Sequence, residues 1–316
     1  MANNQYDLII IGAGSAGLTA AIFAKRRQLS TLVLSKDVGG QANLAHMVEN
    51  YPGAEPMLGM QLMQKFYKQA QSFGAEFLFE EVVSLEKKDD LFSVKTEKNE
   101  FLGKSIILAF GLKHRKLGVL GEEELTGKGI TYCANCDAPL YKNKIVAVIG
   151  GGNSALDAAE YLSKIAVNVY LIHRRNEFRG EQILQNKIKN TANVEILLNT
   201  VVNKFIGENK LNSVILENVE TKEQKELKLD GAFIEAGFEL KTDFIKNLVN
   251  LTEQNHIEIY PSGQTSQDGI FAAGDATNVP YKQIVISAGQ GAIAALSAYQ
   301  YITQKTGAEV KQDWGR

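Results

Sequence analysis

The chain has 316 residues, of which 45% are hydrophobic and 22% are charged, and its formal net charge is -2 at pH 7. This composition is typical of a globular protein and argues against intrinsic disorder. A net charge so close to zero argues against a broad basic surface, which a protein needs to bind nucleic acids or anionic membranes by charge. Neither is therefore an expected partner. Small solutes and other proteins are the expected partners.

The longest apolar run extends from Leu8 to Ala24. It follows the segment MANNQYD, which lacks the basic start of a signal peptide, and it contains three glycines. We therefore expect no export signal and no membrane segment. With only two cysteines in the chain, the protein is expected to be cytoplasmic, where a close cysteine pair is more often catalytic or metal-binding than structural.

Residues 6–35 predict a buried strand, a glycine turn, an alanine-rich helix and a second strand, which together make one βαβ unit. The turn Gly12-Ala13-Gly14-Ser15-Ala16-Gly17 matches the G-x-G-x-x-G pattern of dinucleotide sites. In that pattern the second glycine admits a pyrophosphate, which the N–H groups of the helix bind. A purely structural turn is the alternative. The ribose-binding acid is missing, because Ser35 stands at its position and Asp37 follows two residues later.

The next segment predicts a packing helix followed by a β-meander. Residues 59–73 carry apolar side chains at helical spacing, and Gly74 is a suitable C-terminal cap. Residues 75–111 read as short strands separated by polar turns and end in an apolar strand.

Cys133-Ala134-Asn135-Cys136 contains both cysteines of the chain. The C-x-x-C spacing permits a small, reducible disulfide ring, and such motifs lower the thiol pKa. A zinc site would need further ligands, and the four histidines show no ligand spacing, so no metal is expected. An inert pair is the other alternative. Asp137 could hold a proton for the outgoing thiolate, although a solvated aspartate is also possible at this position.

A second βαβ unit follows in the same internal register, since Gly12 to Ser35 and Gly150 to His173 both span 23 positions. Its turn reads Gly150-Gly151-Gly152-Asn153-Ser154-Ala155, and its second strand ends in His173-Arg174-Arg175, with Arg179 close by. Guanidinium groups at this place suit a 2'-phosphate and favour NADP over NAD. A solvated basic strand end is the alternative. Residues 193–237 then repeat the meander.

Two dinucleotide sites in one chain imply two different cofactors. A nicotinamide needs an electron acceptor between itself and a disulfide, and a flavin can accept hydride and pass both electrons to sulfur. We therefore expect FAD and NADPH.

Six stretches follow one another in a specific order: GAGSAG, GGQ with VENYPG, CANCD, GGGNSA, HRRNEFR and GIFAAGDATNVPYKQIVISAGQGA. Through them the chain resembles the low-molecular-weight thioredoxin reductases over essentially its whole length. It is also similar to the flavoprotein subunit of alkyl hydroperoxide reductase without the N-terminal extension of that protein. The resemblance implies an α/β homodimer subunit with two Rossmann-like, three-layer ββα dinucleotide-binding domains, the second inserted into the first. The FAD domain would comprise residues 1–113 and 242–316, and the NADPH domain with the redox-active cysteines residues 114–241.

The resemblance also assigns site residues. Gly39, Gly40, Gln41 and Asn50 would lie along the flavin, Asp275 would meet its phosphate-ribityl region, and Gln283 and Ile284 would approach its ring. The full set of expected cofactor-binding residues is Gly12, Gly14, Ser15, Ala16, Gly17, Ser35, Gly39, Gly40, Gln41, Asn50, Val82, Gly111, Gly150, Gly152, Asn153, Ser154, His173, Arg174, Arg175, Arg179, Gly274, Asp275, Lys282, Gln283 and Ile284.

Three residues depart from the family pattern. Phe110 replaces a threonine of the "ATG" strand end, Asn176 replaces the aspartate of "HRRD", and Ala138 follows CxxCD where glycine is usual. The first departure concerns flavin contacts and the second concerns the nucleotide clamp.

The expected function is that of an FAD-dependent, NADPH-driven disulfide reductase. Hydride would pass from NADPH to FAD, electrons would reduce the Cys133–Cys136 disulfide, and the dithiol would reduce a thioredoxin-like protein. Cys136, beside Asp137, is the expected flavin-side sulfur, and hinges are expected near His114 and Lys241. The alternatives are a reductase of a peroxiredoxin system, a dithiol oxidase of the same fold, and a non-catalytic redox sensor or scaffold.

Overall fold

The computed structural model describes residues 4–45, 48–132 and 134–307, apart from the side chains of Leu44, Asn135 and Cys136. The chain divides into two compact units. Unit 1 runs to Lys113 and resumes at Leu240, and unit 2 is His114–Glu239. No helix in these described ranges is long and apolar enough to cross a membrane.

The first part of unit 1 alternates strands and helices before a meander. Its elements are β1 (Gln5–Ile11), α1 (Ser15–Arg26), β2 (Thr31–Leu34), α2 (Gly59–Ser72), β3 (Glu76–Leu78), β4 (Val82–Lys88), β5 (Leu91–Thr96) and β6 (Glu100–Leu108), with a short 3-10 helix at Gly40–Leu44.

Strand β7 (Lys113–His114) leads into unit 2, which repeats this arrangement. The elements that follow are α3 (Glu122–Leu125), β8 (Ile130–Thr131), α4 (Ala134–Asp137), β9 (Ile145–Gly150), α5 (Asn153–Ser163), β10 (Asn168–Ile172), α6 (Gln182–Lys189), β11 (Val194–Leu197), β12 (Thr200–Gly207), β13 (Leu211–Asn218), β14 (Gln224–Lys228), β15 (Gly231–Glu235) and β16 (Phe238–Glu239), with a 3-10 helix at Ala138–Tyr141. Unit 1 is completed by β17 (Ile270–Ala272) and α7 (Ile284–Lys305).

The sheet of unit 1 has the strand order β3-β2-β1-β6-β5-β4, with β17 beside β6. Strands β1, β2, β3, β6 and β17 are parallel, and β4 and β5 join as an antiparallel meander. In β1, Leu8 and Ile10 pack against the helices while Ile9 and Ile11 pack on the meander side. Because both faces are covered, the strand reads as an unbroken apolar run rather than an alternating one.

Helices α1 and α7 approach closely through small residues. A Cβ at Gly291 would lie 2.1 Å from the carbonyl oxygen of Ala16, so only glycine fits at this crossing. Helix α2 covers the segment predicted as a packing helix, and Gly74 follows it with φ +83°, the left-handed conformation that suits a C-terminal cap.

Unit 2 contains a fully parallel sheet with the order β11-β10-β9-β15-β8 and an antiparallel meander β12-β13-β14. Val146 and Val148 of β9 face the helices, and Ala147 and Ile149 face the meander side. Strands β7 and β16, where the chain enters and leaves this unit, pair as a two-stranded sheet. The predicted α/β fold class with two Rossmann-like halves is confirmed.

Candidate functional site

The three glycines of the first turn have different surroundings. A Cβ at Gly12, where φ is +110°, would lie 2.3 Å from the carbonyl oxygen of Ala109, and a Cβ at Gly17 would lie 1.9 Å from that of Gly12. A Cβ at Gly14 would meet nothing closer than the Gly39 carbonyl oxygen, 3.9 Å away. The first and third glycines are therefore required by packing, whereas the second leaves open space where a pyrophosphate would approach the backbone.

Helix α1 begins directly behind this space, at Ser15. None of the described side chains caps its first turn, which also carries no acidic residue. The free N–H groups of the first turn give the helix start a partial positive charge. Two further glycines also face open space. A Cβ at Gly40 would have only the Gly14 Cα, among described atoms, within 4 Å, and a Cβ at Gly111 would meet no described atom within that distance. The turn thus fits a dinucleotide phosphate.

The Ser35 hydroxyl, in the loop after β2, already makes two hydrogen bonds to the backbone. Its oxygen accepts a hydrogen bond from the Ala13 N–H at 3.1 Å, and its proton goes to the Asp37 carbonyl oxygen at 2.7 Å. This side chain can therefore accept from a ribose hydroxyl but cannot donate to it. Val82, at the start of β4, packs partly buried against the meander-side core.

The loop after β2 meets the start of α7. The Asn50 side-chain amide donates to the Gln283 side-chain oxygen at 3.1 Å, across 233 sequence positions. The Gln41 amide donates to the Leu112 carbonyl oxygen at 3.2 Å, and Ile284, the first residue of α7, packs against the helix-side core. Asn50 and Gln283, both expected along the flavin, therefore meet in unit 1, although they come from the two separate parts of the chain that form this unit.

Asp275 and Lys282 lie between β17 and α7. The Ser287 hydroxyl donates to Asp275 Oδ1 at 3.2 Å, and Lys282 Nζ donates to the Thr277 carbonyl oxygen at 2.8 Å. Burial raises the pKa of Asp275 and lowers the pKa of Lys282. The preceding Gly274 has φ +82°. A largely buried carboxylate in this position is suited to accept hydrogen bonds from hydroxyl groups of a ribityl chain.

Phe110, where the family pattern has threonine, packs edge-on against Phe244 with 5.3 Å between the ring centroids. Both rings belong to the meander-side core of unit 1. The larger side chain is thus accommodated by an aromatic partner from the second part of the same unit.

In the glycine turn of unit 2, as in unit 1, one glycine is required by packing and another leaves open space. A Cβ at Gly150 would lie 2.3 Å from the Glu235 carbonyl oxygen, whereas one at Gly152 would meet no described atom within 4 Å. Helix α5 starts behind this space with no described side-chain cap and no acidic residue in its first turn. Ser154 is exposed there, and the Asn153 side chain is bound to Glu181, accepting from its N–H at 2.8 Å and donating to its carboxylate at 3.1 Å.

His173 differs from the arginines that follow it. Its ring is buried, stacks on Phe178 with 5.4 Å between centroids, and occupies the place that a Cβ at Gly151 would need. Burial lowers the pKa of His173, a hydrogen bond to the Glu177 backbone opposes this shift, and the neighbouring arginine charges add to it. The ring therefore supports the turn as a neutral packing group.

Arg174, Arg175 and Arg179 are exposed beside this turn. Within the described part of the chain none of them forms an ion pair. The backbone N–H of Arg179 donates to the Gly151 carbonyl oxygen at 2.8 Å, which fixes the loop of these cations to the turn. Three guanidinium groups without carboxylate partners suit a bound 2'-phosphate.

The predicted redox motif falls partly outside the described residues. Cys133 lies outside them, and of Cys136 only the backbone is described, as part of α4. The Asp137 carboxylate accepts a hydrogen bond from the Thr131 hydroxyl. Ala134 is buried in the helix-side core that also contains residues of α5. The helix of the redox motif and the helix of the second glycine turn therefore pack together in one unit.

Sequence reasoning missed Glu235, the last residue of β15. Burial raises the pKa of Glu235 to about 7, and the Ala134 N–H donates a hydrogen bond to its carboxylate. The available signal was the glutamate in the otherwise apolar segment GAFIEAG, which the prediction treated only as the end of the meander.

Comparison with known proteins agrees with this geometry. The family model described as pyridine nucleotide-disulphide oxidoreductase matches residues 6–292. The chain is 40% identical to the thioredoxin reductase of Treponema pallidum, over 94% of this chain and 97% of that protein. It is 39% identical to the thioredoxin reductase of Bacillus subtilis, over 95% of each chain. The crystal structure of Lactococcus lactis thioredoxin reductase superimposes with a TM-score of 0.81 at 36% identity, covering 95% of this chain and 99% of that one.

The matching family model covers nearly the whole chain, and the relatives are aligned over almost their full lengths. The resemblance predicted from the six sequence stretches is confirmed. The chain belongs to the pyridine nucleotide-disulphide oxidoreductase family.

Proposed function

We propose that the protein is an FAD-dependent, NADPH-driven disulfide reductase that reduces a thioredoxin-like protein. Unit 1 would bind FAD, unit 2 would bind NADPH, and the Cys133–Cys136 pair would carry electrons from the flavin to the protein substrate. The identity to curated thioredoxin reductases over more than nine-tenths of the chain supports this assignment.

One structural observation carries the proposal. Unit 2 holds an open glycine turn, three exposed arginines without described ion-pair partners, and the helix of the cysteine motif, all in one small domain. A dithiol oxidase would have no use for a clamp that recognises a 2'-phosphate, and a scaffold would need neither the clamp nor the cysteines. The combination therefore favours a reductase that takes electrons from a nucleotide over an oxidase that passes electrons to oxygen.

The residues of unit 1 fit the flavin in the same way. Gly14 and Gly40 leave space at an uncapped helix start, and Asn50 and Gln283 meet where the ring is expected. When bound, FAD would supply the acceptor that links a two-electron hydride donor to a disulfide. The protein's part is to bind both cofactors and to hold Asp137, bonded to Thr131, beside Cys136 in the sequence.

The decisive experiment adds NADPH anaerobically to the purified, FAD-loaded protein and follows the flavin absorbance. We expect NADPH to bleach the flavin absorbance. Oxidised thioredoxin added afterwards should be reduced, with its thiols formed in stoichiometric amounts. Bleaching without thiol release from any protein disulfide would contradict the proposed reaction. Thiol release from a peroxiredoxin-reducing protein, and none from thioredoxin, would instead assign the protein to a peroxide-reducing system.

We further propose that the protein acts in the cytoplasm as a homodimer. The homodimer rests on the resemblance to thioredoxin reductases, and the cytoplasmic location rests on that resemblance and on the presence of only two cysteines. Light scattering of the purified protein tests the dimer, because a molar mass of one chain would contradict it.

A further inference from the structure

The loop that carries the arginines of unit 2 is anchored at both of its ends. At its start, the Asn199 N–H donates to the Arg175 carbonyl oxygen at 3.1 Å. At its end, the N–H groups of Arg179 and Gly180 both donate to the Gly151 carbonyl oxygen, at 2.8 and 3.2 Å. The guanidinium groups are therefore carried by a loop whose backbone is tied to the glycine turn and to the segment before β12.

Two side-chain hydrogen bonds add a further anchor at the end of this loop. Asn153 is the first residue of α5, and its Oδ1 accepts a hydrogen bond from the Glu181 N–H at 2.8 Å. Its Nδ2 donates to Glu181 Oε1 at 3.1 Å. One amide group thus binds both the backbone and the side chain of Glu181, and this pair of hydrogen bonds is called the latch.

The latch lies beside Arg179 in the chain and is closely packed. Glu181 is two residues after Arg179, and a Cβ at the intervening Gly180 would lie only 3.0 Å from Asn153 Oδ1. The side-chain amide of Gln185, on α6, also donates to the Gly180 carbonyl oxygen at 2.8 Å. The backbone that follows Arg179 is therefore fixed to the start of α5, where a nucleotide phosphate is expected.

The latch is poorly placed to stabilise the fold. Both Asn153 and Glu181 are exposed. A hydrogen bond between exposed groups replaces hydrogen bonds to water, so its removal should change the free energy of unfolding only slightly. The effect of the latch is therefore expected in the position of the loop rather than in the stability of the unit.

We propose that Asn153 and Glu181 are positioning residues for the preference of NADPH over NADH, because the latch holds Arg179 where a 2'-phosphate binds. This inference rests on the proposed disulfide reductase function and deepens it. The two nucleotides differ only in the 2'-phosphate, so only NADPH gains from a well-placed guanidinium. Hydrogen bonds from a guanidinium to a phosphate depend on geometry, so a loop that can move away binds this group less strongly.

A direct contact between Asn153 and the nucleotide makes a different prediction. The sequence motif places Asn153 among the expected cofactor-binding residues. An amide that contacted the pyrophosphate would contribute equally to the binding of NADPH and NADH, which share this group. A positioning role instead affects only the nucleotide with the 2'-phosphate, and only while Arg179 is present.

The test measures the Kd of NADP⁺ and of NAD⁺ for the oxidised, FAD-loaded protein by isothermal titration calorimetry. Asn153→Ala removes both hydrogen bonds of the latch. We expect it to weaken NADP⁺ binding by about three- to tenfold, and by no more than Arg179→Ala does, and to change NAD⁺ binding by less than about twofold. Adding Asn153→Ala to Arg179→Ala should cause no further loss, because the latch acts through that guanidinium.

Two further variants separate the latch from general effects of charge and of lost hydrogen bonds. Glu181→Gln keeps an acceptor oxygen for the Asn153 amide and should bind NADP⁺ within about twofold of the parent. Asn203→Ala is the matched control, because Asn203 on β12 donates to Glu217 Oε2 at 2.8 Å and so forms the same kind of pair in the meander of unit 2. It should leave both Kd values unchanged. Thermal unfolding reports whether each variant is folded.

Unchanged NADP⁺ binding in Asn153→Ala would overturn the proposal, as would an equal loss with NAD⁺, a full further loss in the Arg179→Ala background, or the same loss in Asn203→Ala. If Asn153→Ala does not fold, Glu181→Ala decides, because it removes only the bond from Nδ2, and unchanged NADP⁺ binding there would overturn the proposal. Calorimetry requires neither hydride transfer nor a disulfide. Failure of the proposed function is therefore distinguishable, since it would appear as missing thiol release from oxidised thioredoxin in the parent enzyme.

Discussion

Replacing Arg174 and Arg175 together by alanine should convert a strong preference for NADPH into a weak one. Both side chains are exposed beside the turn of unit 2, and neither forms an ion pair in the part of the chain that the structure describes. Their removal leaves no described carboxylate without its partner. The free energy of unfolding should therefore change by no more than about 0.5 kcal/mol, as is usual for surface substitutions.

The effect on the nucleotide is larger. A hydrogen bond to a charged group contributes about 1.5 to 3 kcal/mol, and solvent exposure reduces this to about 1 to 2 kcal/mol for each arginine. For the pair, the loss of about 2 to 4 kcal/mol corresponds to a roughly 30- to 900-fold lower kcat/KM with NADPH. NADH lacks the 2'-phosphate, so its kcat/KM should change by less than about threefold.

The measurement is the rate of anaerobic flavin reduction as a function of nucleotide concentration, with NADPH and NADH in parallel. Lys189→Ala is the matched control, because it removes an exposed positive charge from the end of α6 in the same unit. An equal loss with both nucleotides would refute the assignment of the arginines to the 2'-phosphate. A loss of the same size in the control would show that the overall charge of the unit, rather than the clamp, determines the preference.

Three further outcomes follow from the site. Gly14→Ala should fold with the thermal midpoint of the FAD-free parent but lose FAD on gel filtration, because its Cβ has room only where the pyrophosphate is expected. Gly17→Ala should be destabilised even without FAD by the 1.9 Å approach to the Gly12 carbonyl oxygen. Retained FAD in Gly14→Ala would argue against this turn as the phosphate site. Cys136→Ser should still show flavin bleaching by NADPH but release no thiol from oxidised thioredoxin, and native turnover would exclude the pair as the relay. Burial raises the pKa of Glu235 from 4.5 to about 7, so ionisation of this group in the unfolded chain costs stability between about pH 4.5 and pH 7. Glu235→Gln should therefore be more stable than the parent at pH 8, by at most about 3 kcal/mol, and not at pH 4, as thermal unfolding at the two pH values would show.

Local sequence patterns were sufficient to predict the repeating units of the fold and the candidate phosphate-binding residues. The apolar runs of β1 and β9, each followed by a glycine turn and an alanine-rich helix, predicted both βαβ units, because strands buried on two faces and phosphate-binding turns leave a pattern within about 30 residues. The spacing of the second glycine in each turn likewise predicted where backbone stays accessible. The arginines after β10 could be recognised because their chemistry depends only on residue type and position at a strand end.

Only the tertiary structure decided how distant residues meet. The contact between Asn50 and Gln283 joins positions 233 apart, and no local pattern records such a pairing. The packing of the buried His173 ring against Gly151 likewise joins residues 22 positions apart, which the sequence pattern does not indicate. Glu235 reads in sequence as one polar residue at the end of a strand, and its raised pKa depends on burial beneath α4 and on the Ala134 amide. Burial and hydrogen-bond partners depend on how the sheet and the helices pack together, so they cannot be predicted from an isolated segment.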